Sequence, residues 1–248
     1  MSGAQSIYIL ASRAMGQQKL MDAIANNVAN SDTAGYKRQG MDFKELIGGK
    51  PSAPTGSFVK DQGYKTDFSQ GGLDKTENPF DLAIVGNAFF AVQSAASGEI
   101  NYTRAGNFTV SSTGRLQTYK GDDVLDQNNA PINIPIESTQ VTVSEDGTIS
   151  NQDGQLAKIG AFNFATGQEP IRAGNNLFKS SGPLPPTLAN DTVSIRQGYI
   201  ETSNVNPVLE TVTMTEASRN YQNIQQMISR LDDIEQEAIR SLPRLTSQ

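Results

Sequence analysis

NPVLETVTMTEASRNYQNIQQMISRLDDIEQEAIRSL, residues 206–242, carries one long helical pattern. Asn206 offers a side-chain oxygen to cap it. Pro207 suits its first turn, where a backbone N–H has no intrahelical partner. Pro243 stops it. The apolar residues Met214, Ala217, Tyr221, Ile224, Ile228 and Leu231, then Ala238 and Leu242, fall at alternating steps of three and four, interrupted only by Glu235. Such spacing keeps a narrow stripe on one face, as a coiled-coil seam requires. At about 1.5 Å per residue the helix would run roughly 50 Å. A stripe so long and narrow needs partner helices to cover it.

One partner lies at the other end of the chain. Ile7, Leu10, Ala14, Gln17, Met21, Ile24 and Val28 follow the same heptad, with Gln17 its single polar member. The sequence therefore predicts an α+β protein. Its N- and C-terminal helices form a coiled-coil-like helical domain, and an all-β domain is inserted between them. An ordinary helical hairpin is the plainer alternative. The sharper reading is that the two ends meet and then pack against other copies.

Composition narrows the function. The chain has 248 residues, 36% hydrophobic, with a net charge of −6 and no Cys, His or Trp. An acidic balance argues against nucleic acid, whose recognition needs clustered Lys and Arg. Without Cys there is no disulfide, no thiolate nucleophile and no Cys-type zinc site. Without His the commonest general base and metal ligand are missing. The apolar run Ile7–Leu10 is too short for a secretory signal and lacks basic residues before it. Leu82–Gly98 is uncharged but contains Gly86, Asn87 and Gln93, and reads as two buried strands around a turn rather than a membrane span.

Between the helices the pattern changes. Asn30 to Gly35 are cap and turn residues, and residues 36–75 read as an extended linker containing a Gly-, Pro- and Ser-rich stretch from Gly48 to Ser57. From Thr76 short apolar strands follow turn signals at the spacing of an all-β domain. Phe80–Val85 and Ala88–Gln93 join at Gly86-Asn87; hairpins are expected at Asp146-Gly147 and Asp153-Gly154, and Val193–Glu201 is the last strand. The predicted division is 1–35, 36–75, 76–203 and 204–248.

The chemistry-bearing residues have plainer explanations. Asp122, Asp123 and Asp126 read as a solvated turn, not an acid–base or metal cluster. Asp146 and Asp153 lack the spacing of a calcium loop. Lys37-Arg38 reads as a solvated basic pair rather than an anion-binding patch. Tyr102 and Phe108 fit buried strand positions better than a stacking platform. No catalytic, metal or cofactor site and no small-molecule substrate are expected.

Three motifs carry a family resemblance. The run Ile24-Ala25-Asn26-Asn27-Val28-Ala29-Asn30-Ser31-Asp32-Thr33-Ala34-Gly35-Tyr36-Lys37-Arg38 resembles the signature after the first helix of bacterial flagellar rod and hook proteins. Val85 to Val92 and Tyr102 to Phe108 are similar to their central domain. Gln197 to Val208, with Asn204, Asn206 and Pro207, resembles the approach to their C-terminal helix. The short segment after Phe43 and the loop from Leu177 to Pro186 look more like proximal-rod members than distal-rod ones. Ser218-Arg219-Asn220-Tyr221 stands where distal-rod and hook relatives carry Gln-Arg-Ala-Tyr.

The resemblance implies a non-enzymatic subunit of the basal-body rod in the periplasm, exported unfolded through the flagellar export apparatus without a cleaved signal. It would assemble helically with copies of itself and other rod subunits to transmit motor torque. The terminal helices would build the inner tube and the β domain the outer layer. The alternatives are a distal-rod or hook-type relative, or a glycan-binding or glycan-cleaving β domain on a coiled-coil stalk, using Tyr102, Tyr119 and the acidic turns.

Overall fold

The cap at Asn206 forms as its chemistry dictates: its Oδ1 accepts from the backbone N–H groups of Val208 (3.1 Å) and Leu209 (3.3 Å). This satisfies two of the donors that a helix start leaves unpaired. In the computed structural model, which describes residues 3–48, 56–137, 140–164, 168, 170–182, 185–189 and 193–241, the helix that follows is Pro207–Ser241 (α2). Pro243 and Leu242 lie outside the described residues. Three threonines in the first half of α2 turn their hydroxyls back on the helix: Thr211, Thr213 and Thr215 donate to the carbonyls of Pro207, Leu209 and Thr211.

The N-terminal helix is Gly3–Ala29 (α1). It ends where Asn30 begins a turn, with Thr33 N–H donating to the Asn30 carbonyl at 3.2 Å.

The chain divides into two compact units. One comprises Met1–Ala29, Arg38–Asp67 and Val205–Gln248; the other Asn30–Lys37 and Phe68–Asn204. In the helical unit α1 packs along α2, and α1 also contacts both strands of a hairpin, Gln39–Gly48 (β1) and Gly56–Thr66 (β2). The expected extended linker over 36–75 is thus corrected: much of it is an antiparallel ribbon running from Gln39↔Thr66 to Gly48↔Gly56, with a bulge between Met41 and Phe43. An isolated two-stranded ribbon is marginal in water, and α1 supplies the support it needs.

The second unit is β-rich. Its largest sheet runs, in spatial order, Ile171–Gly174, Leu177–Lys179, Ile100–Thr103, Phe89–Gln93, Asp123–Val124, Leu116–Thr118, Phe108–Val110. Strand Phe89–Gln93 lies at its centre and is buried on both faces, which is why its sequence is a continuous apolar run rather than an alternation. Phe90 and Val92 enter one core with Leu82, Ile84, Phe108, Leu116 and Val124. Phe89 and Ala91 enter the other with Tyr102, Leu125, Phe162 and Phe178. In the second core Phe89 makes edge-on contacts with Phe68, Phe164 and Phe178 at centroid distances of 5.8, 5.1 and 5.7 Å.

Phe89–Gln93 and its sequence neighbour Leu82–Val85 do not form a hairpin. Gly86 (φ 114°) redirects the chain, and Leu82–Val85 pairs instead with Ser194–Gln197. The expected last strand is likewise broken: Gly198 (φ 76°) separates Ser194–Gln197 from Tyr199–Glu201, which pairs with Leu73–Lys75. The Asp146-Gly147 and Asp153-Gly154 hairpins are present, joining Thr142–Val143 to Thr148–Asn151 and the latter to Gly154–Lys158.

Facing Gly198, Glu77 sits at φ 65°. That conformation costs a residue with a Cβ about 1–2 kcal/mol. Its ion pair with Lys75 is largely exposed and contributes little. Glu77→Asn is therefore expected to raise stability by about 0.5–1 kcal/mol, read as a higher urea midpoint for the full chain.

Candidate assembly surface and its buried anchors

The heptad residues of α2 form one face: Ala217 is buried, and Met214, Tyr221, Ile224, Ile228 and Leu231 are half-buried. On α1, Ala14 and Ile24 are buried and Ile7, Leu10 and Met21 half-buried, while Val28 is exposed. Gln17, the polar member, has its side-chain oxygen buried with no hydrogen-bond partner among the described residues. Ala238 and Leu242 lie outside what is described for side chains. Away from the stripe, α2 leaves Val208, Leu209, Val212, Met227 and Ile234 in water, and α1 leaves Tyr8 and Met15. At 100° per residue those five α2 positions fall within one arc of about 100°.

The motif that spans the end of α1 supplies two polar anchors. The first is Asn27, fully buried in the helical unit. Its amide pairs with the backbone of Gln39 in both directions, accepting from N–H and donating to the carbonyl, each at 2.8 Å. Its Nδ2 also lies 3.3 Å from Glu210 Oε2. Glu210, 3% exposed, is held at 2.5 Å by Arg38 Nε. One asparagine thus ties the end of α1 to the start of β1 and to the first turn of α2. Asn27→Ala would leave the N–H and carbonyl of Gln39 without partners, at about 1–3 kcal/mol in all; a lowered thermal midpoint for the helical unit, followed by far-ultraviolet circular dichroism, checks it.

The second anchor belongs to the β unit. Tyr36 and Lys37 are buried, the latter 0% exposed. Lys37 Nζ donates to Glu201 Oε1 (2.5 Å) and to the carbonyl of Ser69 (2.7 Å). The same carboxylate accepts from Gly71 N–H (3.0 Å) and from Arg104 NH1 (3.3 Å). Arg104 and Glu201 are each 1% exposed, and the guanidinium lies 4.8 Å over the Phe89 ring. Burial pulls the Arg104 pKa below its ordinary value, opposed by the Glu201 charge. Arg172 stacks 4.6 Å from the Tyr36 ring and donates to the Lys37 carbonyl. Gly35 (φ 64°) donates to the Glu201 carbonyl at 2.7 Å. A Cβ there would clash with the backbone of Arg104 and Ala105.

The reading of Lys37-Arg38 as a solvated pair is therefore corrected. The two neighbours carry structural charges in different units. Asn26 bonds within α1, to the Asp22 carbonyl; Asn30 starts the following turn; Asn204 donates to the carbonyl of Ser69.

The acidic residues do not converge. Asp122 accepts from Ala95 N–H, Asp123 pairs with Arg115, and Asp126 organises a turn by accepting from Asn128 and Ala130 N–H. No cluster of three or more metal-ligating side chains occurs among the described residues. Tyr102 packs inward, 5.9 Å from Phe162 and 5.2 Å from Phe164, so it presents no face to a glycan. No described helix is long and apolar enough to cross a membrane.

Three family profiles match the regions just described. Residues 7–37 match "Flagella basal body rod protein", 83–151 the "Flagellar hook protein FlgE/F/G D1 domain", and 196–241 the "Flagellar basal body rod FlgEFG protein C-terminal". A flagellar basal-body rod protein FlgF from Mesorhizobium japonicum is 33% identical over 238 residues, 96% of this chain and 97% of its own. The chain belongs to the flagellar basal-body rod protein family. A FlgF from Caulobacter vibrioides is 33% identical over 248 residues, covering 97% of this chain and 98% of its own. A FlgG from Bacillus subtilis is 30% identical over 262 residues, covering 95% and 98%. This rod protein is a FlgF-like structural subunit. Each of its two buried anchors joins a residue of the matched N-terminal region, Asn27 or Lys37, to one of the matched C-terminal region, Glu210 or Glu201.

Proposed function

We propose that this rod protein is a proximal-rod subunit that assembles helically, with copies of itself and with other rod subunits, and passes motor torque along the axis. The observation that carries the reading is α2. Its 35 residues outrun the 27 of α1, and it keeps a second apolar arc in water, centred roughly 140° round the helix from the heptad stripe. In the assembly the stripe residues from Ile7 to Val28 and from Met214 to Leu231 would form coiled-coil seams, desolvated between subunits. Heterologous contacts of this kind repeat into open helical filaments. The chain would act without catalysis and reach the periplasmic rod through the export apparatus.

Electron microscopy of the concentrated full chain, alone and mixed with other rod subunits, tests this. Tubular or filamentous particles with a helical lattice are expected. A chain that stays monomeric under both conditions overturns the assignment.

A further inference from the structure

Glu201 joins parts of the β unit that are far apart in sequence. Its carboxylate meets Lys37, 164 residues away, Gly71, 130 away, and Arg104, 97 away. Its carbonyl accepts from Gly35 as well. By contrast, strands Phe89–Gln93, Ile100–Thr103, Phe108–Val110, Leu116–Thr118 and Asp123–Val124 lie within 36 residues of sequence and pair among themselves. Local pairings close short loops and form quickly; distant ones wait. Left to its apolar residues alone, the central meander would collapse before Glu201 arrived.

The buried cations oppose that. Arg104 closes the meander strand Ile100–Thr103 and is 1% exposed, lying over Phe89. Burying a guanidinium without its carboxylate is far costlier than burying the completed pair. We infer that the Lys37–Glu201–Arg104 cluster is a closure gate: it keeps the meander from packing shut until the segment carrying Glu201 has docked, so that the β unit closes in one concerted step. The cluster need not add net stability, since apolar replacements of a buried ion triad are commonly neutral or better. Its contribution is to the order of events.

Pulse-labelled hydrogen exchange during refolding of the full chain reads that order. In the native sequence, peptides from 89–124 and from 194–201 are expected to gain protection at one shared rate. In Lys37→Met/Arg104→Met/Glu201→Met, the folding equilibrium constant should stay within about tenfold of the parent. Protection over 89–124 should then precede protection over 194–201 by about tenfold or more in time. Synchronous protection in the triple variant, or staggered protection in the parent, overturns the gate. So does a triple variant that cannot fold, because the cluster would then be a source of stability rather than of timing. Glu201→Gln alone, which keeps both cations, should lower the equilibrium constant by about a hundredfold. A change of under about threefold would show that the cations are tolerated without the carboxylate, and would also overturn it.

Discussion

Ile228→Asp is expected to abolish assembly, and motility with it, while the purified chain keeps its β unit. Ile228 lies mid-stripe on α2, four residues from Ile224 and one heptad from Tyr221, and is half-buried. A half-buried position lets an aspartate reach water, so the isolated chain should lose little. Between packed subunits the same carboxylate would be desolvated without a partner, at a cost of several kcal/mol or forced protonation. Helical symmetry repeats the defect at every equivalent contact. Gln225→Asp is the control, because Gln225 is exposed and a surface change there should stay within about 0.5 kcal/mol. Motility, filament formation and thermal unfolding are compared for the two variants. If Ile228→Asp assembles as well as Gln225→Asp, the stripe is not an intersubunit surface.

Gly106→Ala should unfold the β unit. A Cβ at Gly106 would drive into the carbonyl oxygen of Leu82, and would stand 2.8 Å from the carbonyl carbon and 3.1 Å from the Phe90 ring. Neither obstacle is a flexible side-chain end. Leu82 N–H donates to the Gly106 carbonyl at 2.9 Å, so separating the two segments also breaks the backbone bond that holds a core strand to this loop. The expected loss is about 4 kcal/mol or more, at the extreme of single substitutions. Gly98→Ala makes the contrast. Gly98 is at φ 69° with nothing within 4 Å of the added methyl, so only the backbone penalty of about 1 kcal/mol remains. Denaturant titrations of both should separate widely; similar midpoints would mean that the Gly106 segment yields at little cost.

The helical ends were legible because their information is local. A period of three and four marks a buried stripe wherever its partner comes from, and Asn206-Pro207 marks a start by itself. The central apolar run at Phe89–Gln93 was legible as strand for the same reason. Lys37 was not. Nothing within several residues of it distinguishes a lysine bound for solvent from one bound for Glu201, and Arg38 beside it looks the same. The deciding partner is 164 residues away and only topology delivers it. The ladder partners were equally out of reach at Gly86, where the two expected strands join different ladders, and at Gly198, where a positive φ breaks the expected single strand 193–201 in two. Adjacency in sequence says nothing about which ladder a strand then joins. The ribbon over 39–66 was hidden by its many charged and glycine residues, which mimic a linker when its support, α1, is not in view.

The threonines of α2 carry a mechanical consequence. From Val208 to Thr215 the helix is rich in β-branched residues, and three hydroxyls compete for its own carbonyls. Such back-bonding loosens and bends a helix locally. Between Ala217 and Ser241 no threonine or valine occurs, the β-branched residues are four spaced isoleucines, and Gln, Arg and Glu, better helix formers, are frequent. The element therefore has graded elasticity. Under a twisting load its compliance is concentrated in the two turns after the cap, and the remainder behaves as the stiff member of a shaft coupled through a short flexure.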